Sequence, residues 1–321
     1  MIKNLFFSIS CFVLLSILFV SCKKEKPSDS TPITLEPIKL GAPIKESKVY
    51  QLFSGYTDND VFEASGIKYV GDHFYVVFDN TYKVASVQQS LIANGVANFL
   101  STGSSNSSNY EGIAYDYDGS PNIYVLAENQ SHNGQYSPRI YNYDVSLHKR
   151  DSAWAPYSYT STYKNKGFEG LTFYHRNNKD YLLGLSEASG DIIVMEANGS
   201  EWIYISTIRF PQNKAMNDYS DIDISSSGAI AVTSQESSLL WIGKLSDTNW
   251  QLDGEGTLYA FPTGDENGNV GNGSNVLYGN VEGVSFMTDK QVVICSDKTS
   301  SNQPAYQDFK AQTISIFNIP K

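Results

Sequence analysis

Five segments of this chain repeat one pattern, and that repetition limits the fold more than any other feature. Each begins with a small or acidic residue, then Gly or Asp, then an aliphatic residue that opens a short strand. The five starts are Ser65-Gly66-Ile67, Glu111-Gly112-Ile113, Glu169-Gly170-Leu171, Ser220-Asp221-Ile222 and Glu282-Gly283-Val284. Each first strand meets turn-forming residues: Gly71-Asp72, Asp118-Gly119, Asn177-Asn178, Ser227-Gly228 and Thr288-Asp289. A second strand then runs to an acid, at Asp79, Glu128, Glu187, Glu236 and Asp297. Such pairs read as antiparallel hairpins. Anchored on Gly66, Gly112, Gly170, Asp221 and Gly283, the intervals are 46, 58, 51 and 62 residues.

That spacing suits four strands and their loops. Third strands are predicted at Lys83–Val87, Ile140–Asp144, Ile192–Glu196, Leu239–Lys244 and Thr313–Phe317. Fourth strands are predicted at Val96–Leu100, Ala153–Tyr159, Trp202–Arg209 and Thr257–Phe261. No long amphipathic helix pattern is present. The expected fold is therefore all-β, a β-propeller in which one sheet covers the next around an axis. Five blades are preferred; a sixth requires that 240–280 hide one. The last repeat has only three strands, so Val49–Phe53 is expected to supply the fourth and close the ring. Trp202, Trp241 and Trp250 read as packing between blades.

Before the repeats stands an address. Lys3 precedes the mostly apolar run Leu5–Val20, and Ser21-Cys22 follows. The run is short for a membrane span and has the form of a secretion signal. Phe19-Val20-Ser21-Cys22 resembles the lipobox of bacterial lipoproteins, which implies cleavage before Cys22 and lipid on its thiol. The expected layout is a signal peptide at 1–21, lipidated Cys22 with a flexible tether to 44, and the propeller at 45–321. The tether carries Pro27, Pro32, Pro37 and Pro43, a composition suited to an extended spacer. The implied location is the bacterial cell envelope, periplasmic or surface-facing, with membrane contact through the lipid only.

Composition narrows the partners. The chain is 321 residues long with 34 acidic and 23 basic residues, and its net charge is −11. With no basic cluster, nucleic-acid binding is not expected. A hydrophobic share of 41% excludes disorder. Three cysteines do not make a disulfide framework, and Cys295 in the run Val292–Cys295 reads as a small buried hydrophobe.

Chemistry is expected on the axis. In a propeller the first strand of each blade lines the central channel, and antiparallel pairing sets its start beside the second strand's end. Glu111, Glu169 and Glu282 should therefore meet Asp79, Glu128, Glu187, Glu236 and Asp297 at one mouth, with Asp221 close by. Converging carboxylates repel, and a cation, protonation or hydrogen bonds must offset this. Calcium accepts six to eight oxygen ligands and fits such a set, with Glu111, Glu169, Glu282 and Asp221 as its candidate ligands and Asp79, Glu128, Glu187, Glu236 and Asp297 as candidates for contact with a bound ligand. Zinc does not, because the four histidines fall outside the repeated positions. Two other readings stay open: the acids brace turns of a neighbouring blade, or they act directly in catalysis.

Tyr110-Glu111-Gly112-Ile113, Phe168-Glu169-Gly170-Leu171 and Asp218-Tyr219-Ser220-Asp221-Ile222 resemble the SdiA-regulated family of bacterial propellers. That resemblance implies a calcium-binding propeller outside the cytoplasm, with the ion held by Glu111, Glu169 and Glu282. Two other stretches resemble the phytase-like esterase propellers: Glu128-Asn129 through Ser137-Pro138-Arg139-Ile140-Tyr141, and Ser296-Asp297 through Ala311-Gln312-Thr313. Arg139 becomes a candidate ligand-binding residue on that account. The functional expectation is a module that binds a small molecule, glycan or protein at the channel mouth. The alternative is a calcium-dependent hydrolase, phytase-like or lactonase-type. The aromatic stretch Trp154–Tyr163 reads as an edge strand plus loop or as a surface that stacks on sugars.

Overall fold

In the computed structural model the described residues are 35–104, 106–117, 121–158, 167–211 and 215–320. Cys22, the leader, the first part of the tether, the Asp118-Gly119 turn and residues 159–163 of the aromatic stretch lie outside them.

The chain enters through β1 (Ile38–Lys39) and β2 (Lys45–Lys48) and then builds five sheets. Blade 1 is β3 (Ala64–Val70), β4 (His73–Phe78), β5 (Thr81–Gln88) and β6 (Phe99–Leu100). Blade 2 is β7 (Tyr110–Asp116), β8 (Asn122–His132), β9 (Gln135–Tyr143) and β10 (Lys149–Trp154). Blade 3 is β11 (Phe168–Arg176), β12 (Lys179–Ser186), β13 (Ile192–Asn198) and β14 (Glu201–Ile208). Blade 4 is β15 (Tyr219–Ile224), β16 (Ala229–Ser234), β17 (Leu239–Lys244) and β18 (Thr257–Ala260). A small excursion follows, β19 (Thr263–Gly264) paired with β20 (Asn275–Val276). Blade 5 is β21 (Val281–Thr288), β22 (Gln291–Ser296) and β23 (Thr313–Asn318), completed by β2. The innermost strands touch in the order β3, β7, β11, β15, β21 and back to β3, which closes a five-bladed propeller.

The ring is closed by the N-terminal segment, one element earlier than expected. The closing strand is β2, antiparallel to β23 with Lys45 opposite Ile316 and Lys48 opposite Thr313. Val49–Leu52 instead forms a 3-10 turn. Its apolar residues Val49 and Leu52 stand three apart, so both face the core between blades 5 and 1, where a strand would split them. Glu46 locks the closure, accepting hydrogen bonds from Tyr278 and Ser315, each at 2.8 Å, and pairing with Lys310 at 2.6 Å. Further upstream, β1 adds in parallel to β18, and Leu40 is buried behind it.

Two outer strands also differ from expectation. Only Phe99–Leu100 of the Val96–Leu100 prediction is strand, because the Asn98 side chain takes the Gln88 N–H at 2.9 Å and substitutes for a ladder partner. In blade 2 the strand ends at Trp154, before Pro156, which has no N–H to donate.

Each innermost strand carries a β-bulge at the same place. The residues skipped by the ladder are Ser65, Glu111, Glu169, Ser220 and Glu282. A bulge re-aims a side chain out of the regular alternation. The residue after it lies against the next blade. A Cβ on Gly170 would stand 2.6 Å from Ile222 N, and one on Gly283 would stand 2.8 Å from Ile67 N. Blade 4 has Asp221 at this position, and its carboxylate fills the space, accepting N–H bonds from Ile222 and Val284 at 2.8 Å each.

These contacts are with backbone, which yields poorly, so overpacking here is costly. Gly170→Ala should lose about 2–3 kcal/mol in urea unfolding. Gly41→Ala, whose Cβ meets nothing within 4 Å, should stay within about 0.5 kcal/mol of the parent. Equal losses would show that the glycines do not set the blade spacing.

Candidate acidic site at the channel mouth

The bulges and second-strand ends meet in one cavity of about 320 Å³. The same backbone bond fixes each second-strand end. Asp79, Glu128, Glu187, Gln235 and Asp297 donate their N–H to the carbonyls of Glu63, Asn109, Gly167, Asp218 and Asn280. Four of these residues directly follow their second strands, and Glu128 sits at the break in register inside β8; the same bond holds each over the axis. Its register makes Gln235 the blade 4 counterpart, and Glu236 lies outside the cavity lining.

Blade 1 sends Asp79 into the cavity, blade 2 Glu111 and Glu128, blade 3 Glu169 and Glu187, blade 4 Asp218, and blade 5 Glu282 and Asp297. All five blades contribute, and among the described residues neither Lys, Arg nor His lines the space. The bulge residues divide by type. Ser65 donates to the Tyr110 carbonyl and Ser220 to the Val281 carbonyl, each tying its blade to the next. Glu111, Glu169 and Glu282 reach into the cavity.

Some of these acids brace the fold. Glu128 accepts the Gly167 N–H at 2.7 Å across the blade boundary, and Gln235 donates its amide to Glu282. Asp297 accepts the Lys298 N–H at 2.5 Å. For Glu111 and Glu169 no carboxylate hydrogen bond or ion pair is found among the described residues. Carboxylate oxygens of Glu128, Glu169 and Glu187 lie within 4.8 Å of one another, a grouping that suits a hard cation.

Burial raises the proton affinity of five of these acids, and in most of them neighbouring carboxylates add to it. Burial, then the charges of Asp79, Glu128 and Glu282, push Glu111 well above the usual carboxylate range. Burial, then Glu111 and Glu128, do the same to Glu169, and burial and Asp297 do so to Glu282. Burial, reinforced by Asp297, pushes Asp79 up to about 7. Asp297 rises to about 6 through burial, with the Lys298 N–H opposing.

Two of the expected site residues lie elsewhere besides Glu236. Asp221 sits beneath the mouth with its oxygens committed to two amides, which is the bracing role. Arg139 belongs to the outer part of blade 2, where it bonds Ser152 at 2.8 Å and lies over the Trp154 ring at 5.0 Å. Asn109, Tyr219 and Gln235 also line the cavity. Only Gln235 carried a readable signal, since Ser186-Glu187, Ser234-Gln235 and Ser296-Asp297 share one pattern. Cys295 is buried and free, against the Ala64 carbonyl.

No protein-family model matches the chain, and no curated protein matches it either. Among solved structures it is similar to glutaminyl cyclase from Myxococcus xanthus, with a TM-score of 0.53, 10% identity, and coverage of 89% of this chain and all of that one. The calcium-binding protein regucalcin from Agrobacterium tumefaciens gives a TM-score of 0.47 and 7% identity, over 89% of this chain and 96% of the other. At these identities the likeness to the glutaminyl cyclase establishes the propeller fold.

Protonation of the cluster has a thermodynamic sign. A carboxyl that keeps its proton in the folded state and loses it in the unfolded chain gives the folded state an extra bound proton. Stability is then fully present below the ordinary carboxylate value near 4 and falls as pH rises toward the folded value. With Asp79 near 7 and Asp297 near 6, the melting temperature in chelator should fall as pH rises from about 4 to 7. A melting temperature that rises over this window would show that the cluster is stabilised as anions.

Proposed function

We propose that the channel mouth is a calcium-type cation site on a lipid-anchored propeller of the bacterial cell envelope, and that a ligand or partner binds there. One observation carries the reading: all five blades aim carboxylates at one cavity, and no basic side chain lines it among the described residues. Lys68 also lies on the axis, but it is committed to Asp223 at 2.5 Å. A divalent cation neutralises the mouth at neutral pH without an added base, and it accepts irregular oxygen sets. Glu169 is the central ligand in this reading, with Glu128 and Glu187 beside it, while Glu111 and Glu282 approach from the flanking blades. The resemblance to SdiA-regulated propellers agrees with this assignment. The lipobox-like residues 19–22 support the anchor.

A second reading, calcium-dependent hydrolysis, has one specific support. Asp79 near 7 and Asp297 near 6 are carboxyl groups able to exchange a proton close to neutral pH, and they share the cavity. A bound cation would lower the pKa of a water beside them.

Calcium titration of protein lacking residues 1–34 tests the first reading. Saturation at one hundred times Kd should add about 2.7 kcal/mol, or several degrees of melting temperature. Glu169→Gln should weaken calcium at least tenfold and leave the melting temperature in chelator unchanged or higher, since it removes repulsion. No calcium response in the parent would overturn the reading. Phosphoester and lactone turnover that needs calcium, and that Asp79→Asn abolishes with calcium still bound, would establish the hydrolase. Cys22→Ala in the full chain should move the protein from the detergent to the aqueous phase; unchanged partitioning would remove the lipid anchor.

A further inference from the structure

The end of the propeller opposite the mouth carries an apolar rim. Antiparallel pairing places two connections of each blade there, between its first and second strands and between its third and fourth. In blade 1 these lie together, since Gln89 donates its N–H to the Asp72 carbonyl at 2.8 Å. The longer connection, 89–98, holds Leu91 in the core and turns Ile92 and Val96 outward. Ile92 is 62% exposed and Val96 fully so. This is a built shape. Leu91 and Asn94 take positive φ, 50° and 51°, which is uncommon for residues with a side chain. Asn94 donates its N–H to the Gln51 carbonyl at 2.8 Å, and the Asn98 side chain donates to the Leu52 carbonyl at 2.9 Å. In a chain that is 18% charged, no charged residue stands between Lys83 and Glu111.

Blade 2 extends the rim. Tyr117 follows β7 and is exposed. Its hydroxyl donates to the Tyr69 carbonyl at 3.2 Å, and the Tyr69 hydroxyl donates to the Gln89 side chain at 3.2 Å, which sets Tyr117 beside the base of the 89–98 connection. Val145, in the turn between β9 and β10, is exposed at the same end.

Three features indicate what this rim meets. Protruding aliphatic side chains need a matching hollow on a folded partner, whereas a lipid surface yields to them. Tyrosine, with an apolar ring and a polar tip, suits the headgroup level of a bilayer. The chain also enters the propeller from this end. Strand β1 runs parallel to β18, and β18 follows the 245–256 connection, whose Leu245 N–H bonds the Gly228 carbonyl of the turn between the first two strands of blade 4.

We propose that this end of the propeller seats on a lipid surface, with Ile92 and Val96 entering the acyl boundary and Tyr117 at the headgroups, so that the acidic mouth faces away from the bilayer. The contact adds to a lipid on Cys22 and does not depend on it or on the cation reading.

Site-directed labelling tests it. The chain from residue 22 carries Cys22→Ala and is held on phosphatidylcholine vesicles by an N-terminal histidine tag and a nickel-chelating lipid, so the natural anchor plays no part. Cys295 is buried, which leaves an introduced thiol to take a polarity-sensitive dye. Dye on Val96→Cys should shift to the blue and lose at least about half its emission to a nitroxide on the upper acyl chain, since surface-seated apolar groups reach about 5–10 Å into the headgroup and acyl boundary. Dye on Glu266→Cys, in the excursion on the mouth side, should do neither. Dye on Val145→Cys should also shift, and adding Ile92→Asp and Val96→Asp should abolish that shift. Both residues are exposed, so the melting temperature should stay that of the parent. The proposal is overturned if the Val96→Cys dye stays in water, if the Glu266→Cys dye is quenched as strongly, or if the two aspartates leave the Val145→Cys shift unchanged. It is also overturned if the Val96→Cys dye shifts without vesicles as protein concentration rises, which would assign the rim to a second copy of the chain.

Discussion

Ring closure makes five inner strands share one axis, and every polar group they aim inward must be satisfied by another inner strand. Asp223 shows how demanding this is. Its carboxylate receives Lys68 from blade 1, Thr172 from blade 3 at 2.9 Å, and the Ser285 hydroxyl and Phe286 N–H of blade 5 at 2.8 Å each. Four blades meet on one side chain. Burial opposes the Lys68 charge, but the adjoining Asp223 outweighs this and holds the ammonium above its ordinary range. Removing one partner of such a buried pair leaves an uncompensated charge, which typically costs about 3–5 kcal/mol. The pair thus ties four blades to one another, whether or not it adds net stability.

The same geometry explains why charge is distributed so unevenly along the channel. The glycines after the bulges let adjacent backbones approach to van der Waals contact, so the axis is too narrow for long basic side chains at every level. Lys68 occupies the level of Asp223, on the fourth residue of its strand past Ala64. The mouth widens into a cavity, and there the bulges turn glutamates inward. A ring built by duplication would keep five equal residues at the bulge. This one has serine in blades 1 and 4 and glutamate in blades 2, 3 and 5. Serine hydroxyls tie adjacent blades, and glutamates face the open space, so one backbone device serves both cohesion and site.

How much of this the chain discloses depends on which period governs a residue. Hairpins such as β11–β12 were legible because Asn177 and Asn178 both take positive φ, 52° and 57°, as a two-residue turn of this kind requires. The convergence of Glu111, Glu169 and Glu282 followed from strand order alone. The blade 4 position slipped by one, to Glu236 instead of Gln235, because acidity was followed where the backbone register decides. Asp221 was read as a ligand because its place in the repeat is held elsewhere by glycine, and only the neighbouring blade's amides reveal that its carboxylate is filling that space. Val49–Leu52 misled because an apolar run of that length fits a strand until its three-residue spacing is weighed. Outer strands were least legible, since their ladders are partly replaced by side chains such as Asn98, which no alternation encodes.

The bracing and cation readings overlap at Glu128 and Glu282, which hold amides and also face the cavity, and they separate at Glu111 and Glu169. Glu128 and Asp221 each hold an amide across a blade boundary, and Glu282 receives an amide from Gln235. A purely structural cluster would treat its remaining members the same way, because an unbraced carboxylate in a crowded cavity destabilises the fold. Among the described residues Glu111 and Glu169 are not so treated, although glutamine at either position would relieve the repulsion at no cost in shape. Gln235 shows that the fold tolerates that amide in this cavity. Among the described residues, two glutamates left facing other acids are the feature on which the proposed cation site rests.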